Sequence, residues 1–213
     1  MTPVVCLITD RRRDEAGADA TVERVAWAAR AGIDLVQVRE RDLDGGPLTA
    51  LVRRCVEAVR GSRARVLVND RLDVALAAGA HGVHLRGDSM PAARVRALCP
   101  EGFLVGRSVH ARDEAIDAVT AGGLDYLLFG TVFASASKPG RVPAGPSSLA
   151  AVAAAVGVPV LAVGGLSSDN VGQVAAAGAA GFAAIGLFAV ESEAALARSV
   201  AGARAAFRAA SRP

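Results

Sequence analysis

The sequence contains few aromatic residues. They make up 4% of the chain, with one tryptophan and one tyrosine, so the core has to be built from Ala, Val, Leu and Ile. Such a core favours closely packed α/β layers over a nucleic-acid module that stacks bases on aromatic rings. The composition therefore argues against a nucleic-acid partner.

The sequence also lacks paired cysteines and long apolar runs. Cys6, Cys55 and Cys99 have no CxxC or Cys/His spacing, which predicts free thiols in a reducing cytoplasm. Charged residues interrupt every apolar run before it reaches membrane-spanning length, and no signal-peptide pattern opens the sequence. We therefore expect a cytoplasmic protein with no membrane partner.

Lysine is nearly absent. Only one of the 24 Lys and Arg residues is a lysine, Lys138, in the stretch FASASKPGRVPAGP at 133–146. A lone lysine in a loop can be an accident of composition and simply be solvated. The net charge is +3 and the arginines are scattered, which predicts a weak attraction for anions and no nucleic-acid footprint.

Short β-branched runs alternate along the chain with alanine-rich segments of helical period. Strands that are apolar throughout, each followed by a helix, indicate a parallel sheet covered on both faces. Eight such units without a break in composition predict one α/β domain over residues 1–213, a single closed (β/α)8 barrel. The predicted strands are Val4–Asp10, Asp34–Glu40, Arg65–Asp70, Gly82–Arg86, Leu104–His110, Tyr126–Phe133, Val158–Gly165 and Gly181–Phe188. The predicted helices include Thr21–Ala31, Leu48–Arg60, Arg71–Ala78, Ala92–Leu98, Asp113–Ala121 and Asp169–Ala177.

Polar side chains gather at the ends of the predicted strands. In a (β/α)8 barrel the reactive groups lie at the carboxyl ends of the strands, so we expect these side chains to surround one binding site. They are Gln37, Arg39, Arg41, Asn69, Asp70, His84, Arg86, Asp88, Ser108, His110, Ser135, Ser137 and Lys138.

Glycines end the last two strands and indicate a phosphate site. Gly164 and Gly165 end the seventh strand, and Gly186 ends the eighth. Glycine lets backbone N–H groups approach an anion, and the loops after strands seven and eight are the usual phosphate site of such barrels. Two adjacent glycines alone can also serve a tight turn, but the match with Gly186 strengthens the prediction.

Arginines follow the second strand. The stretch QVRER has period two, which places Gln37, Arg39 and Arg41 on one face of the strand or its exit. Two guanidinium groups on one face favour binding of phosphate oxygens. The alternative is that the arginines pair with Glu40, Asp42 or Asp44.

Two carboxylates indicate a metal. Asn69 and Asp70 end the third strand, and Asp88 follows the fourth. Asp70 and Asp88 could hold one Mg²⁺, with water and substrate phosphates as the remaining ligands. Asp70 could instead cap the helix that follows it, or do both.

The three histidines differ in their surroundings. His84 lies within an apolar strand, where a core histidine with satisfied hydrogen bonds is the common case, and His81 is expected at the surface. His110 follows Ser108 on the fifth strand and is the candidate for proton transfer.

Several motifs together resemble the thiamine-phosphate synthase/TenI family. They are QVRERD, LVNDRLDVALAAGAHGVHL, VGRSVH, FGTVFASASKPG and AVGGLSSDN, in order along essentially the whole chain. The resemblance implies a TIM barrel whose synthases join a hydroxymethylpyrimidine diphosphate to a thiazole phosphate and release diphosphate with Mg²⁺.

The resemblance also implies roles for individual residues. Gln37, Arg39 and Asn69 would contact the pyrimidine diphosphate, Ser108 would contact the pyrimidine, and Asp70 would be a Mg²⁺ ligand. The remaining implied substrate contacts are Ser135, Ser137, Lys138, Gly165, Ile185 and Gly186, although a serine is usual where Gly186 stands. Arg39, Ser108 and Lys138 would be the catalytic residues.

The sequence also departs from the family pattern at other places. The lysine of QxREK is Arg41, which keeps the charge and changes the shape. The pattern HxGQxD reads HLRGDS, so the second metal carboxylate is either Asp88, shifted by one place, or absent. GRSVH and LFG are closer to the TenI branch, a metal-independent thiazole tautomerase, but the histidine of that branch after FG is Thr131 here.

We therefore expect a thiamine-phosphate synthase, with two alternatives. One is a tautomerase that isomerises a carboxythiazole phosphate, with His110 or a water in place of the missing histidine. The other is a non-catalytic protein that binds phosphate ligands. Alanine-rich helix faces leave the oligomeric state open, a homo-oligomer included.

Overall fold

The computed structural model describes residues 2–13, 17–135, 140 and 142–211. Within them, eight parallel strands form a closed barrel in which each strand pairs with the next and β8 pairs with β1. The strands are β1 Val4–Ile8, β2 Leu35–Val38, β3 Arg65–Asn69, β4 Gly82–Leu85, β5 Leu104–Val109, β6 Tyr126–Phe129, β7 Val160–Val163 and β8 Gly181–Ala184. The predicted (β/α)8 barrel is confirmed.

A helix follows each strand on the outside of the barrel. The helices are α1 Gly17–Arg30, α2 Gly45–Ala58, α3 Leu72–Ala77, α4 Ala92–Arg96, α5 Arg112–Thr120, α6 Gly145–Ala155, α7 Val171–Ala176 and α8 Glu193–Ala210. Short 3-10 helices cover Arg11–Arg13 and Gly186–Phe188. No helix of the described ranges has both the length and the apolar character needed to cross a membrane.

The strands are shorter than the apolar runs predict. The runs continue through residues such as Asp70, His110 and Gly165, whereas the observed strands end before them. The backbone hydrogen bonds of the sheet stop where the chain turns towards the next helix. The apolar and glycine residues from which the strands were predicted extend past that point. The polar residues at these positions are therefore in the loops of the barrel mouth, which is where a binding site needs them.

Alternation along the strands separates two hydrophobic clusters. On β1, Val5 and Leu7 pack towards the helices, while Cys6 and Ile8 belong to a smaller cluster inside the barrel. The inner cluster also contains Leu35, Leu67, Tyr126, Leu128, Leu161 and Ala183. The three cysteines are free, as predicted, and Cys6 and Cys55 are buried.

Arg204 joins the last helix to the amino-terminal end of the barrel. Its guanidinium group donates hydrogen bonds to the carbonyl oxygens of Pro3 (2.9 Å) and Gly32 (2.7 Å) and to the carboxylate of Asp34 (2.6 Å). The same oxygen of Asp34 accepts a 2.8 Å hydrogen bond from the backbone N–H of Val5. One buried charge therefore holds α8 against the starts of β1 and β2.

Replacing this arginine is expected to destabilise the barrel without changing its mouth. Arg204→Ala removes the buried guanidinium group from Asp34 and leaves the carbonyl of Pro3 without its donor, while Arg63 still contacts Asp34 and Gly32. We therefore expect the free energy of unfolding to fall by about 2 kcal/mol. Arg208→Ala, at an exposed position of the same helix, is the matched control and should change it by less than about 0.5 kcal/mol. Equal urea-unfolding midpoints for the two variants would contradict this role.

Candidate functional site

Three adjoining cavities open at the carboxyl ends of the strands. The central cavity, of about 110 Å³, is lined by Ile8, Gln37, Arg39, Asn69, Ser108, His110, Leu128, Thr131, Ser135, Val163, Gly164 and Ile185. The arginine cavity, of about 260 Å³, is lined by Val38, Glu40, Arg41, Leu43, Leu48, Asn69, Asp70, Arg71 and Arg86. The glycine cavity, of about 290 Å³, is lined by Ala134, Ser135, Val163, Gly164, Gly165, Leu166, Ala183, Ala184, Ile185 and Gly186.

The cavities are connected through shared residues. Asn69 lines both the arginine cavity and the central cavity. Ser135, Gly164 and Ile185 line both the central cavity and the glycine cavity. The mouth of the barrel is therefore one continuous site with a cationic end and a glycine-rich end.

Gln37 and Asn69 form the floor between neighbouring strands. Gln37 is 3% exposed, and its side-chain amide donates a 3.1 Å hydrogen bond to the side-chain oxygen of Asn69. The pairing of β2 with β3 brings the carboxyl ends of these two strands together. Each amide keeps further donor or acceptor capacity for a ligand in the central cavity.

A buried carboxylate holds the loop that carries Arg39. The Thr9 hydroxyl donates to Glu40 (2.5 Å) and accepts from the backbone N–H of Arg39 (3.0 Å), and the Arg11 N–H also donates to Glu40. Burial raises the pKa of Glu40, with the hydrogen bonds from Thr9 and Arg11 opposing that rise. Sequence reasoning missed Thr9, whose only signal was a polar residue at the end of an apolar strand.

Arg39 and Arg41 face different cavities. Arg39 lines the central cavity and Arg41 the arginine cavity, so the expectation that both lie on one face with Gln37 is wrong for Arg41. The reason is that β2 ends at Val38 and its alternation does not continue. Burial, together with the charge of Arg41, lowers the pKa of Arg39.

The acidic residues of this segment do not neutralise the two arginines. Arg11 forms ion pairs with Glu40 and Asp42. None of the ion pairs seen between described residues involves Arg39 or Arg41. Among the described residues, no carboxylate therefore forms an ion pair with either guanidinium group.

Asp70 has an unusual backbone conformation. Its φ of 62° is the one positive value among the described residues other than glycine, a region that Asp and Asn tolerate better than most residues. Its backbone N–H donates a 2.9 Å hydrogen bond to the carbonyl of His84. The alternative in which Asp70 caps α3 is wrong, because the residue at the cap is Arg71 and it makes no side-chain capping bond.

The carboxylates predicted to bind a metal already have partners. The Ser89 hydroxyl donates to one oxygen of Asp70, and the other oxygen lies 3.6 Å from a guanidinium nitrogen of Arg86. Asp88 forms an ion pair with the same guanidinium at 2.5 Å. In the part of the chain that the structure describes, no group of three His, Cys, Asp or Glu residues could hold a metal ion.

Ser108 is oriented by a buried pair of aromatic side chains. The two ring nitrogens of His84 contact the Tyr126 hydroxyl (2.9 Å) and the Ser108 hydroxyl (2.8 Å). Gly106 leaves the space that the Tyr126 ring fills, since a Cβ there would collide with the ring. His84 is 1% exposed, as expected for a core histidine with satisfied hydrogen bonds. Its contact with Ser108 places it directly behind the central cavity.

The other two histidines have backbone partners. A ring nitrogen of His110 contacts the carbonyl of Gly130, and His110 lines the central cavity. His81 is only partly exposed and accepts a 3.0 Å hydrogen bond from the backbone N–H of Val66. His110 is thus within the site, whereas His81 supports the start of β3.

The glycine cavity is formed by backbone with positive φ. Gly164 and Gly165 have φ of 103° and 64°, which glycine adopts without strain. Asn170 holds this loop, since its side chain donates to the carbonyl of Gly165 (2.8 Å) and accepts from the N–H of Ser167 (2.9 Å). A Cβ on Gly165 would collide with the backbone of Phe133 and Ala134, whereas no atom lies within 4 Å of a Cβ on Gly186.

Two predicted residues lie outside the described residues. They are Ser137 and Lys138. Ser135 is described and lines both the central and the glycine cavities. Every other residue predicted to bind substrate, from Gln37 to Gly186, lines at least one of the three cavities.

We predict that His84 makes the protein less stable in acid. Burial, helped by the charge of Arg107, lowers the pKa of His84 to about 3, against about 6.5 in an unfolded chain. Between these values the unfolded chain binds a proton that the folded chain does not, so the free energy of unfolding falls as the pH is lowered, by up to about 1.4 kcal/mol per pH unit. Urea unfolding of wild type and His84→Gln across this range should give a flatter pH dependence for the variant, and equal slopes would contradict the assignment.

Comparisons with known proteins agree with the resemblance. Residues 5–188 match the family described as thiamine monophosphate synthase. A thiamine-phosphate synthase of Anaeromyxobacter dehalogenans is 44% identical over 185 residues, covering 85% of this chain and 82% of the relative. Another, of Chlorobium luteolum, is 36% identical and covers 86% of this chain and 84% of the relative.

Solved structures agree with both the fold and the family. A thiamine phosphate pyrophosphorylase from Pyrococcus furiosus superposes with a TM-score of 0.83 at 28% identity, covering 97% of this chain and 96% of that one. A thiamine phosphate pyrophosphorylase from Bacteroides thetaiotaomicron, at 13% identity and a TM-score of 0.66, supports the fold alone. The family match over most of the barrel and the identity of these relatives show that this chain belongs to the thiamine monophosphate synthase family.

Proposed function

We propose that this chain is a thiamine-phosphate synthase, a transferase of thiamine biosynthesis that joins hydroxymethylpyrimidine diphosphate to thiazole phosphate and releases diphosphate. The observation that carries the proposal is the continuous mouth, with arginines at one end and backbone glycines at the other. Two anionic substrates can bind there with their reacting ends in the central cavity. The synthase names of the relatives support the same activity.

In this proposal each cavity has one task. Arg39 and Arg41 bind the diphosphate of the pyrimidine substrate, Gln37, Asn69 and Ser108 bind its ring, and the glycine cavity with Ile185 binds the thiazole phosphate. Holding both substrates in one orientation removes much of the entropic cost of their reaction. As the bond to diphosphate breaks, the guanidinium groups stabilise the negative charge that grows on the leaving group.

Mg²⁺ belongs to this proposal as the cofactor that the resemblance implies. Asp70 is the carboxylate that would hold it, since Asp70 lines the arginine cavity whereas Asp88 is 70% exposed and paired with Arg86. The described residues thus fit a metal through one carboxylate, with phosphate oxygens and water as the other ligands. When bound, the ion would supply charge neutralisation at the leaving diphosphate.

The tautomerase alternative gains no support from the site. The family pattern of that branch needs a histidine at the position of Thr131, and the described ring contact of His110 is to a backbone carbonyl. The relatives reported above carry synthase names. We therefore do not propose the isomerase.

The direct test is an assay of the purified protein with both substrates. We expect thiamine phosphate and diphosphate to form in equal amounts with Mg²⁺ present. Lys138→Ala should lower kcat by about a hundredfold, the scale for losing one preorganised charge contact to the transition state. Isomerised thiazole as the only product would contradict the synthase activity. Full activity of Lys138→Ala would contradict a contact between Lys138 and the transition state.

The phosphate end can be tested at Gly186. A serine fits there without a clash, and its hydroxyl adds one hydrogen bond to the phosphate, so we expect Gly186→Ser to lower the KM for thiazole phosphate by about tenfold. The KM for the pyrimidine diphosphate should stay unchanged. Gly202→Ser, at an exposed and equally open position on α8, is the control. Equal changes in both KM values would place the phosphate elsewhere.

A further inference from the structure

Arg86 occupies a position that no assigned role explains. It follows β4, its backbone N–H donates a 2.8 Å hydrogen bond to the Ser89 hydroxyl, and its side chain lines the arginine cavity. One guanidinium nitrogen lies 2.5 Å from Asp88 and the other 3.6 Å from Asp70. A fixed positive charge therefore lies between the two carboxylates that the sequence predicted as metal ligands.

This arrangement weakens the attraction of the free protein for a metal ion. Ser89 donates to the Asp70 oxygen that Arg86 does not approach, so both oxygens of Asp70 face a hydrogen-bond donor or a cation. A nearby positive charge opposes the binding of a divalent cation by direct repulsion. At this end of the site, a guanidinium group therefore lies beside both Asp70 and Asp88.

The same guanidinium group suits a diphosphate. The neighbouring arginines of this cavity differ in their pairing, since Arg71 forms an ion pair with Asp73 while Arg41 has none with a described residue. At 3.6 Å the contact of Arg86 with Asp70 is too long for a hydrogen bond, so that nitrogen keeps its protons for an anion. Arg41 and Arg86 can thus act together on the two phosphoryl groups, and a planar guanidinium binds phosphate oxygens through paired hydrogen bonds.

We propose that Arg86 is a diphosphate-binding residue that supplies protein-borne positive charge beside Asp70, so that this chain binds diphosphate without a metal ion. The inference rests on the proposed function for the identity of the substrate. It goes beyond that function because it replaces part of the role of the metal with a side chain. Any Mg²⁺ that enters with the substrate then adds to a charge that is already present.

The test measures binding of inorganic diphosphate by isothermal titration calorimetry, in EDTA and in Mg²⁺. For wild type we expect the two Kd values to agree within about threefold. For Arg86→Gln we expect binding in EDTA to weaken by about tenfold or more, with most of the loss restored by Mg²⁺. Arg60→Gln, which removes an exposed arginine paired with Glu57 after α2, should bind as wild type does in both buffers.

A second variant tests whether Arg86 opposes the binding of a metal ion at Asp70. Arg86→Gly combined with Ser89→Asp removes the guanidinium group and adds a carboxylate where Ser89 already contacts Asp70. Without any substrate, we expect this variant to bind Mn²⁺ at least about tenfold more tightly than wild type, as measured by electron paramagnetic resonance. Circular dichroism and thermal melting show whether each variant is folded.

The outcomes separate this inference from the proposed function. If wild type binds diphosphate only in Mg²⁺, or if Arg86→Gln binds it in EDTA as tightly as wild type, Arg86 does not have this role, even if thiamine phosphate forms. If the binding results are as expected and no thiamine phosphate forms, the diphosphate site stands and the synthase proposal fails.

Discussion

Closure of eight parallel strands into one barrel is the constraint on which the rest of the structure depends. Since every strand runs in the same direction and each pairs with the next, all eight carboxyl ends meet at one mouth. Residues far apart in the sequence, such as Gln37 and Gly186, line cavities that share walls only because of this closure. At the opposite end, the buried hydrogen bonds of Arg204 tie the last helix to the first two strands and help to hold the barrel closed.

A second layer of buried polar groups positions the side chains of the mouth. Glu40 and Thr9 join the loops after β1 and β2, His84 and Tyr126 hold Ser108, and Asn170 holds the loop of Gly165. A buried polar group without a partner is costly, so each contact also disfavours other loop conformations. The ligand-facing residues are therefore positioned before a substrate binds, which lowers the entropic cost of bringing two substrates together.

The charges of the site are distributed unevenly, and this suits two anionic substrates. Arg39, Arg41 and Arg86 provide positive charge at one end, whereas backbone glycines provide uncharged donors at the other. A diphosphate carries more negative charge than a single phosphate and is better matched by the end of the site that carries the arginines. Arg86 also contacts Asp70 and Asp88, so positive and negative charges lie side by side at this end of the site.

The sequence by itself determined the barrel, the parallel strand order and most of the residues that line the mouth. These follow from local patterns, because apolar runs alternate with helical segments and polar residues or glycines mark the ends of the runs. The ends of the strands could not be derived in this way. Because β2 ends at Val38, the alternation does not extend to Arg41, which lines a different cavity from Arg39. The tertiary structure alone decided that Ser89 and Arg86 engage Asp70, and that Tyr126 reaches Ser108 through His84. Those contacts join loops or strands whose separation depends on barrel closure, and no pattern within a single segment of the chain encodes the distance between them.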